Sequence, residues 1–397
     1  MPENNDQIKS RRFKLIQFGV IIFLYWAALY IYVPTLPVYT QSILNDLVLV
    51  GTVLGMYGLG QALVRLPVGI IADWRGWHRQ LTVVCIAMVG GGALIMAFGT
   101  SMAMLTIARL ITGFGAATWV LLMVAFSSLF KPNEAVRAVA IMSFINTTGR
   151  FTATLLTGFL NDLGGFRLPF FLSAILAAIA IVLFLSASAE KQKKEPVSLK
   201  SISRLIVRED VFLPAVINIF THIVDFAATF SFLPLLARSL GATNVQISIM
   251  TSMSMAIWSL FSLLVSWLSK RFSSTHLVYV GLLFSTVGLF LAAMADSLVW
   301  IFIAQAFIGM AMGITYPCLA GMSILYVKEN ERSTAMGLHQ AVYSIGMFAG
   351  PWLGGILADR FGIQSMFIII ALGCSIFGMI INRRYQIVCK KQYNCHE

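Results

Sequence analysis

Apolar residues run along this chain in blocks of about twenty, cut by short polar breaks. A helix needs about 20 such residues to cross the hydrocarbon core of a bilayer. Twelve blocks are long enough, at 15–38, 48–71, 80–98, 103–128, 138–160, 167–187, 211–236, 244–268, 275–295, 299–325, 334–357 and 363–382. The pattern predicts an all-α integral membrane fold of twelve transmembrane helices. Most breaks are a few residues long, so successive helices run antiparallel. The exception is 188–210, where Lys191, Lys193, Lys194, Glu195 and Pro196 divide the blocks six and six. The expected organisation is an N-terminal six-helix bundle at 1–187, a linker at 188–210, a second bundle at 211–382 and a tail at 383–397. Within the linker, 199–207 has the pattern of an amphipathic helix lying at a membrane surface.

Composition agrees. The 397 residues are 58% hydrophobic and 11% charged, with mean hydropathy +0.85, against roughly 25% charged in a soluble domain. Lys9, Arg11, Arg12 and Lys14 precede the first block as in a secretory signal, but the block is too long for one and no small-residue cleavage site follows. It reads as a retained first span. The net charge of +12 could suggest a nucleic-acid partner. Its placement argues otherwise. Of the 28 Lys and Arg, 22 fall on the face that carries the termini and three on the other face, at Arg167, Arg238 and Arg360. By the positive-inside rule both termini are expected in the cytoplasm, with the chain in the inner (plasma) membrane and no nucleic acid bound. Three of the five cysteines lie in apolar blocks. Cys389, Cys395 and His396 are read as a solvated tail, with no metal site.

The chain also repeats itself. An offset of 197 carries Lys131, Asn133, Glu134 and Ala138 onto Lys328, Asn330, Glu331 and Ala335, and Gly158, Asp162, Gly165 and Phe170 onto Gly355, Asp359, Gly362 and Phe367. With an even number of helices in each, the halves are parallel repeats about an axis along the membrane normal. Such a pair encloses a cavity near the bilayer midplane.

Three stretches resemble signatures of the major facilitator superfamily. Gly69, Asp73 and Gly76 form Gly-x-x-x-Asp-x-x-Gly between helices two and three, with basic residues displaced to Arg75 and Arg79 by Trp74, Trp77 and His78. Arg109-Leu-Ile-Thr-Gly113-Phe-Gly115 resembles the Arg-x-x-x-Gly signature of helix four. Gly346-x-x-x-Gly350-Pro351-x-x-Gly354-Gly355 resembles the glycine-proline motif. Proton-driven exporters of the family carry that motif in helix five, where this chain has Ala153, Thr154, Thr157, Gly158 and no proline. The resemblance implies a secondary transporter that rocks its halves about a central site. It implies a conformational gate at Gly69, Asp73, Gly76, Arg79, Gly350 and Pro351, and proton coupling at Arg109.

Asp225 is the one acid deep in a predicted span, at helical spacing from Asn218, His222 and Thr229. An ionisable side chain at that depth costs a few kcal/mol or more unless it meets water or a partner. Asp225 and His222 are therefore read as lining the central cavity, with one of them taking up and releasing a proton, against the plainer reading of a buried pair that ties helix seven to a neighbour. Arg150, on one stripe with Asn146, Thr147, Thr154 and Thr157, is read as a contact to an anionic solute or a counter-charge to Asp225; the plain reading is packing at a helix break. His339, Gln340, Tyr343, Gln305 and Asn218 complete the candidate substrate-binding set. Arg65, near a helix end, is expected mainly to snorkel to water. Trp26, Tyr30, Trp119, Trp258 and Tyr316 are expected mainly as packing or lipid-facing residues. Gly51/Gly55 and Gly309/Gly313 have the spacing of close helix contacts.

With no nucleotide-binding Gly-Lys loop, no metal cluster and no nucleophile–base spacing, the chain is expected to be neither an ATP-driven pump nor an enzyme, and to need no cofactor. The leading reading is proton-coupled efflux of a small molecule by a monomer in the lipid bilayer. Its alternatives are proton-coupled import of an organic anion, to which the positive interior leans, and a non-transporting sensor or scaffold.

Overall fold

A computed structural model describes residues 5–127, 129–130, 134–187 and 199–393. The first half holds α1 (Asn5–Tyr30), α2 (Leu36–Leu44), α3 (Leu47–Arg75), α4 (His78–Phe98), α5 (Met102–Gly115), α6 (Thr118–Ser127), α7 (Ala135–Gly164) and α8 (Arg167–Ser186). A surface helix, α9 (Leu199–Val207), leads into the second half. That half is α10 (Glu209–Ala227), α11 (Leu233–Ser239), α12 (Asn244–Leu268), α13 (Ser274–Ala293), α14 (Leu298–Ile324), α15 (Arg332–Phe361) and α16 (Ile363–Tyr393). Among the described residues, eleven spans are long and apolar enough to cross a membrane. The twelfth, α7, falls short in hydropathy because it carries Asn146, Thr147, Arg150, Thr154 and Thr157.

Two spans expected to be continuous are broken. The fourth bends at Ala116–Ala117 between α5 and α6, and Tyr25 of α1 donates to the carbonyls of Gly115 (3.3 Å) and Ala116 (3.1 Å) there. The seventh passes from α10 to α11 through a π-helical turn at Ala228–Phe232, with Pro234 just beyond. The last helix continues to Tyr393, through much of the segment expected as a tail. Cys389 is thus buried in a helix rather than solvated. Cys395 and His396 lie outside the described residues.

Leu205 of α9 buries against Val211, Ala215, Val327, Ala335, Leu338 and Val342, while Arg204 pairs with Glu331. The linker helix is thereby fastened to the termini end of the second bundle.

The repeat is visible as geometry. Asp46 caps α3 by accepting from the Leu49 N–H, and Thr243 caps α12 by accepting from Gln246, at the same 197-residue offset. Gly165 and Gly362 both end their helices with positive φ, 68° and 82°, which a glycine adopts without steric cost. A Cβ on Gly158 would fall 2.5 Å from the Asn244 carbonyl oxygen and 2.5 Å from Val245 Cα. A Cβ on Gly355 would fall 2.6 Å from the Leu47 carbonyl oxygen and 3.2 Å from Val48 Cα. The two contacts are images of each other, and both join one bundle to the other.

Candidate functional site

These glycine contacts define two seams between the bundles. In one, α3 lies along α15, with Gly51 against the Pro351 carbonyl and Gly55 against that of Phe348. In the other, α7 lies along α12; Thr154 accepts from Ser252 (2.9 Å), and Asn244 donates to Asp162 (2.9 Å) while accepting from Arg238. Gly51, Gly55, Gly158 and Gly355 all lie toward the end of the molecule away from the termini. Backbone meets backbone there, and that end is shut. Toward the termini, contact between bundles continues along α3–α15 to Leu66 and Gly337. Among the described residues no sustained packing joins α5–α6 to α14.

Between the seams lies a narrow cavity with room for little more than a water molecule. Tyr30, Tyr57, Arg109, Phe226, Ser231 and Pro351 contribute to its wall. Arg109 is buried, with its guanidinium 4.6 Å from the centre of the Tyr57 ring. The Arg-x-x-x-Gly spacing has a plain structural use: Gly113 lets α5 close onto the backbone of Tyr57.

Arg65 does not snorkel. It is 6% exposed and crosses the first seam to donate to the Tyr343 hydroxyl at 3.0 Å. A helix-end position leaves the direction of the side chain open, and Tyr343 gives the guanidinium an inward partner. Tyr343 in turn stacks on His222 at 4.2 Å. Arg150 stands over Tyr30 at 4.3 Å, with Trp258 at 5.2 Å and Trp26 at 5.6 Å. Of the aromatic residues expected in packing or at the lipid face, Trp26, Tyr30 and Trp258 pack around Arg150, Trp258 from the other bundle.

Asp225 is 3% exposed. Thr229, one turn on, is its hydroxyl neighbour, and Arg150 is the cation whose field reaches it. Among the described residues no cation lies within 4.0 Å of its carboxylate. His222 and Asp225 share a helix but not a neighbourhood: His222 faces Tyr343, and its Nδ1 donates to the Asn218 carbonyl at 2.9 Å.

Other expected site residues lie elsewhere. His339 Nε2 accepts from Asn218 (2.8 Å), and its Nδ1 bonds to Ser323 (2.8 Å), whose hydroxyl donates to the Val211 carbonyl. Asn218 and His339 thus tie α10, α14 and α15 together inside the second bundle. Replacing His339 by Ala leaves two buried partners unmatched, at about 1–3 kcal/mol each. The purified variant should melt roughly 5 °C or more below wild type; an unchanged melting point would show the network is not structural. Gln305 is fully buried with neither amide atom partnered, and it is not part of the central wall. Gln340 is buried near the α3–α15 seam, and Asn146 is partly buried with its Oδ1 unmatched.

Of the expected gate, Pro351 sits on the first seam, while Gly350 packs on Ile223 within its own bundle. Gly69 approaches Val120, Gly76 ends α3 with φ 67°, and Arg79 donates to the Leu185 carbonyl at 2.6 Å. These three brace the first bundle. The side chain of Asp73 lies outside the described residues.

Residues 18–221 and 215–385 each match the family model described as Major Facilitator Superfamily. An uncharacterized MFS-type transporter of Methanocaldococcus jannaschii is 22% identical over 87% of this chain and 92% of its own length. Quinolone resistance protein NorA of Staphylococcus aureus is 24% identical over 91% of this chain and 93% of its own. A solved bacterial homolog of the human lysosomal transporter Spinster superposes with TM-score 0.81 at 16% identity, covering 95% of this chain and 98% of that one.

Proposed function

The chain belongs to the Major Facilitator Superfamily, and from that premise we propose a proton-coupled secondary transporter that moves a small organic solute by alternating access. The observation that carries this reading is the position of Asp225. A buried carboxylate, within the field of Arg150 of the other bundle, lies in a molecule whose bundles are shut at one end by glycine contacts and, among the described residues, share no sustained packing between α6 and α14 at the other. A carboxylate with no close cation is costly at that depth, and a proton relieves the cost. Proton loading then biases which end is open, which is the coupling an alternating-access cycle needs. With the termini in the cytoplasm of a plasma-membrane protein, the shut end faces outward.

Direction follows from what competes with the proton. A neutral or cationic solute that shares Asp225 exchanges against the proton, and an inward proton gradient then drives export. Similarity to a resistance protein supports that direction. An anionic solute on Arg150 goes instead with a protonated Asp225, because two negative charges there repel. Proton and solute then travel together, and the same gradient drives uptake. Three central arginines against one acid favour this second direction.

The test is purified protein in liposomes of known orientation, with an imposed pH gradient and a labelled solute panel. Accumulation that follows the gradient and collapses with a protonophore supports the reading. No flux of any solute in either direction supports a sensor or scaffold instead.

A further inference from the structure

Four of the unmatched polar atoms at the centre are of one kind. Nε of Arg65, Arg109 and Arg150 and Nε1 of Trp26 are buried atoms with no hydrogen-bond partner. Arg65, Arg109 and Trp26 are 6%, 5% and 7% exposed. All four atoms are donors. Asn146 Oδ1 and the hydroxyls of Tyr32, Thr229 and Ser231 are unmatched as well; the amide can turn to present its NH2, and each hydroxyl can donate as readily as accept. Asp225 balances at most one of the three guanidinium charges. Buried charge without a counter-charge costs several kcal/mol, and aromatic faces return only part of that. The missing complement is an acceptor-rich group of negative charge.

The surroundings of Arg150 add a shape. Trp26 meets Trp119 at 5.3 Å, and Trp258 meets Tyr316 at 6.0 Å, which meets Tyr343 at 6.0 Å. The first pair belongs to one bundle and the other three rings to its partner, with Arg150 between them. Arg150, Trp119, Trp258 and Tyr316 are only partly buried. Rings offered from both sides accept a flat body by stacking.

We propose that the transported solute is an organic anion with a flat conjugated ring: its charged group sits on Arg150 and the Trp26 N–H, and its ring lies against the Trp258–Tyr316 pair. This rests on the alternating-access reading and selects its second direction.

The test uses the full chain in detergent and, by calorimetric titration, 2-naphthoate, its neutral amide 2-naphthamide, the ringless anion cyclohexanecarboxylate and the cation 2-naphthylmethylammonium. The expected order has 2-naphthoate binding at least about tenfold more tightly than the other three. Arg150→Gln should weaken it by about 10- to 100-fold, the usual value of a charge-assisted contact. Trp26→Phe, which keeps a ring and removes the N–H, should weaken it by a smaller factor. That second variant serves if Arg150→Gln does not fold. Equal or tighter binding of the amide or the ammonium overturns the assignment, as does an Arg150→Gln constant within twofold of wild type or no binding of 2-naphthoate. Counterflow in liposomes separates the two levels. Flux of the ammonium without 2-naphthoate binding leaves transport standing and removes the anion; 2-naphthoate binding without flux leaves the seat and removes the transport cycle.

Discussion

Asp225→Asn should reduce gradient-driven accumulation to the level of protein-free liposomes while leaving solute exchange at equal pH measurable. The amide is nearly the same size as the acid and keeps a hydrogen-bonding pair of atoms beside Thr229. It cannot change charge. If Asp225 carries the proton, the variant is frozen in the neutral form and both bundle orientations stay reachable, so exchange persists while coupling is lost. A purely structural carboxylate would give a different result, with coupling and exchange falling together. His222→Gln is the matched control. Its Nδ1 is occupied by the Asn218 carbonyl and its ring by Tyr343, so that variant should retain more of the coupling than Asp225→Asn. Full gradient-driven transport by Asp225→Asn would end the assignment.

Block length alone made the membrane topology legible, because crossing a bilayer is a length requirement that composition cannot hide. The 197-residue offset went further, since the residues it paired at Gly158 and Gly355 occupy equivalent seams. The direction of side chains on nearly all-apolar helices was not legible. Such helices have little amphipathic asymmetry to orient them. Trp26 and Trp258 therefore read only as packing or lipid-facing residues, and Arg65 as snorkelling, until helix packing placed them around the central arginines. His339 and Asn218 read as solute contacts because a polar residue in an apolar run signals function by default. Each instead satisfies the other, with Ser323 as the third member. The breaks in the fourth and seventh spans did leave marks beside them, Gly113 and Gly115 before Ala116–Ala117 and Pro234 just after Ala228–Phe232, but the apolar blocks run through both.

A pair of wedges on the two seams, Gly51→Leu with Gly158→Leu, should hold the molecule open at the end it now closes. At Gly158 even a Cβ would stand 2.5 Å from Val245 Cα, and at Gly51 it would strike the Pro351 carbonyl. These neighbours are backbone and cannot turn aside. Overpacking of this sort costs about 1–3 kcal/mol per site. Two sites together approach the ~5.5 kcal/mol that moves a two-state equilibrium from 1:99 to 99:1. Both wedges face one conformation only, so the cost falls on the shut state rather than on folding. Transport should be lost while the variant stays soluble in detergent and monodisperse.

The direct measurement is a pair of spin-label distances, in wild type and in the double wedge. One pair spans the far end, at Leu163 and Met294; the other spans the termini end, at Trp74 and Phe272. All four positions are exposed, and each pair joins the two bundles. Rocking predicts that the wedge lengthens the Leu163–Met294 distance and shortens the Trp74–Phe272 distance. Two distances that stay fixed, or that grow together, would contradict it.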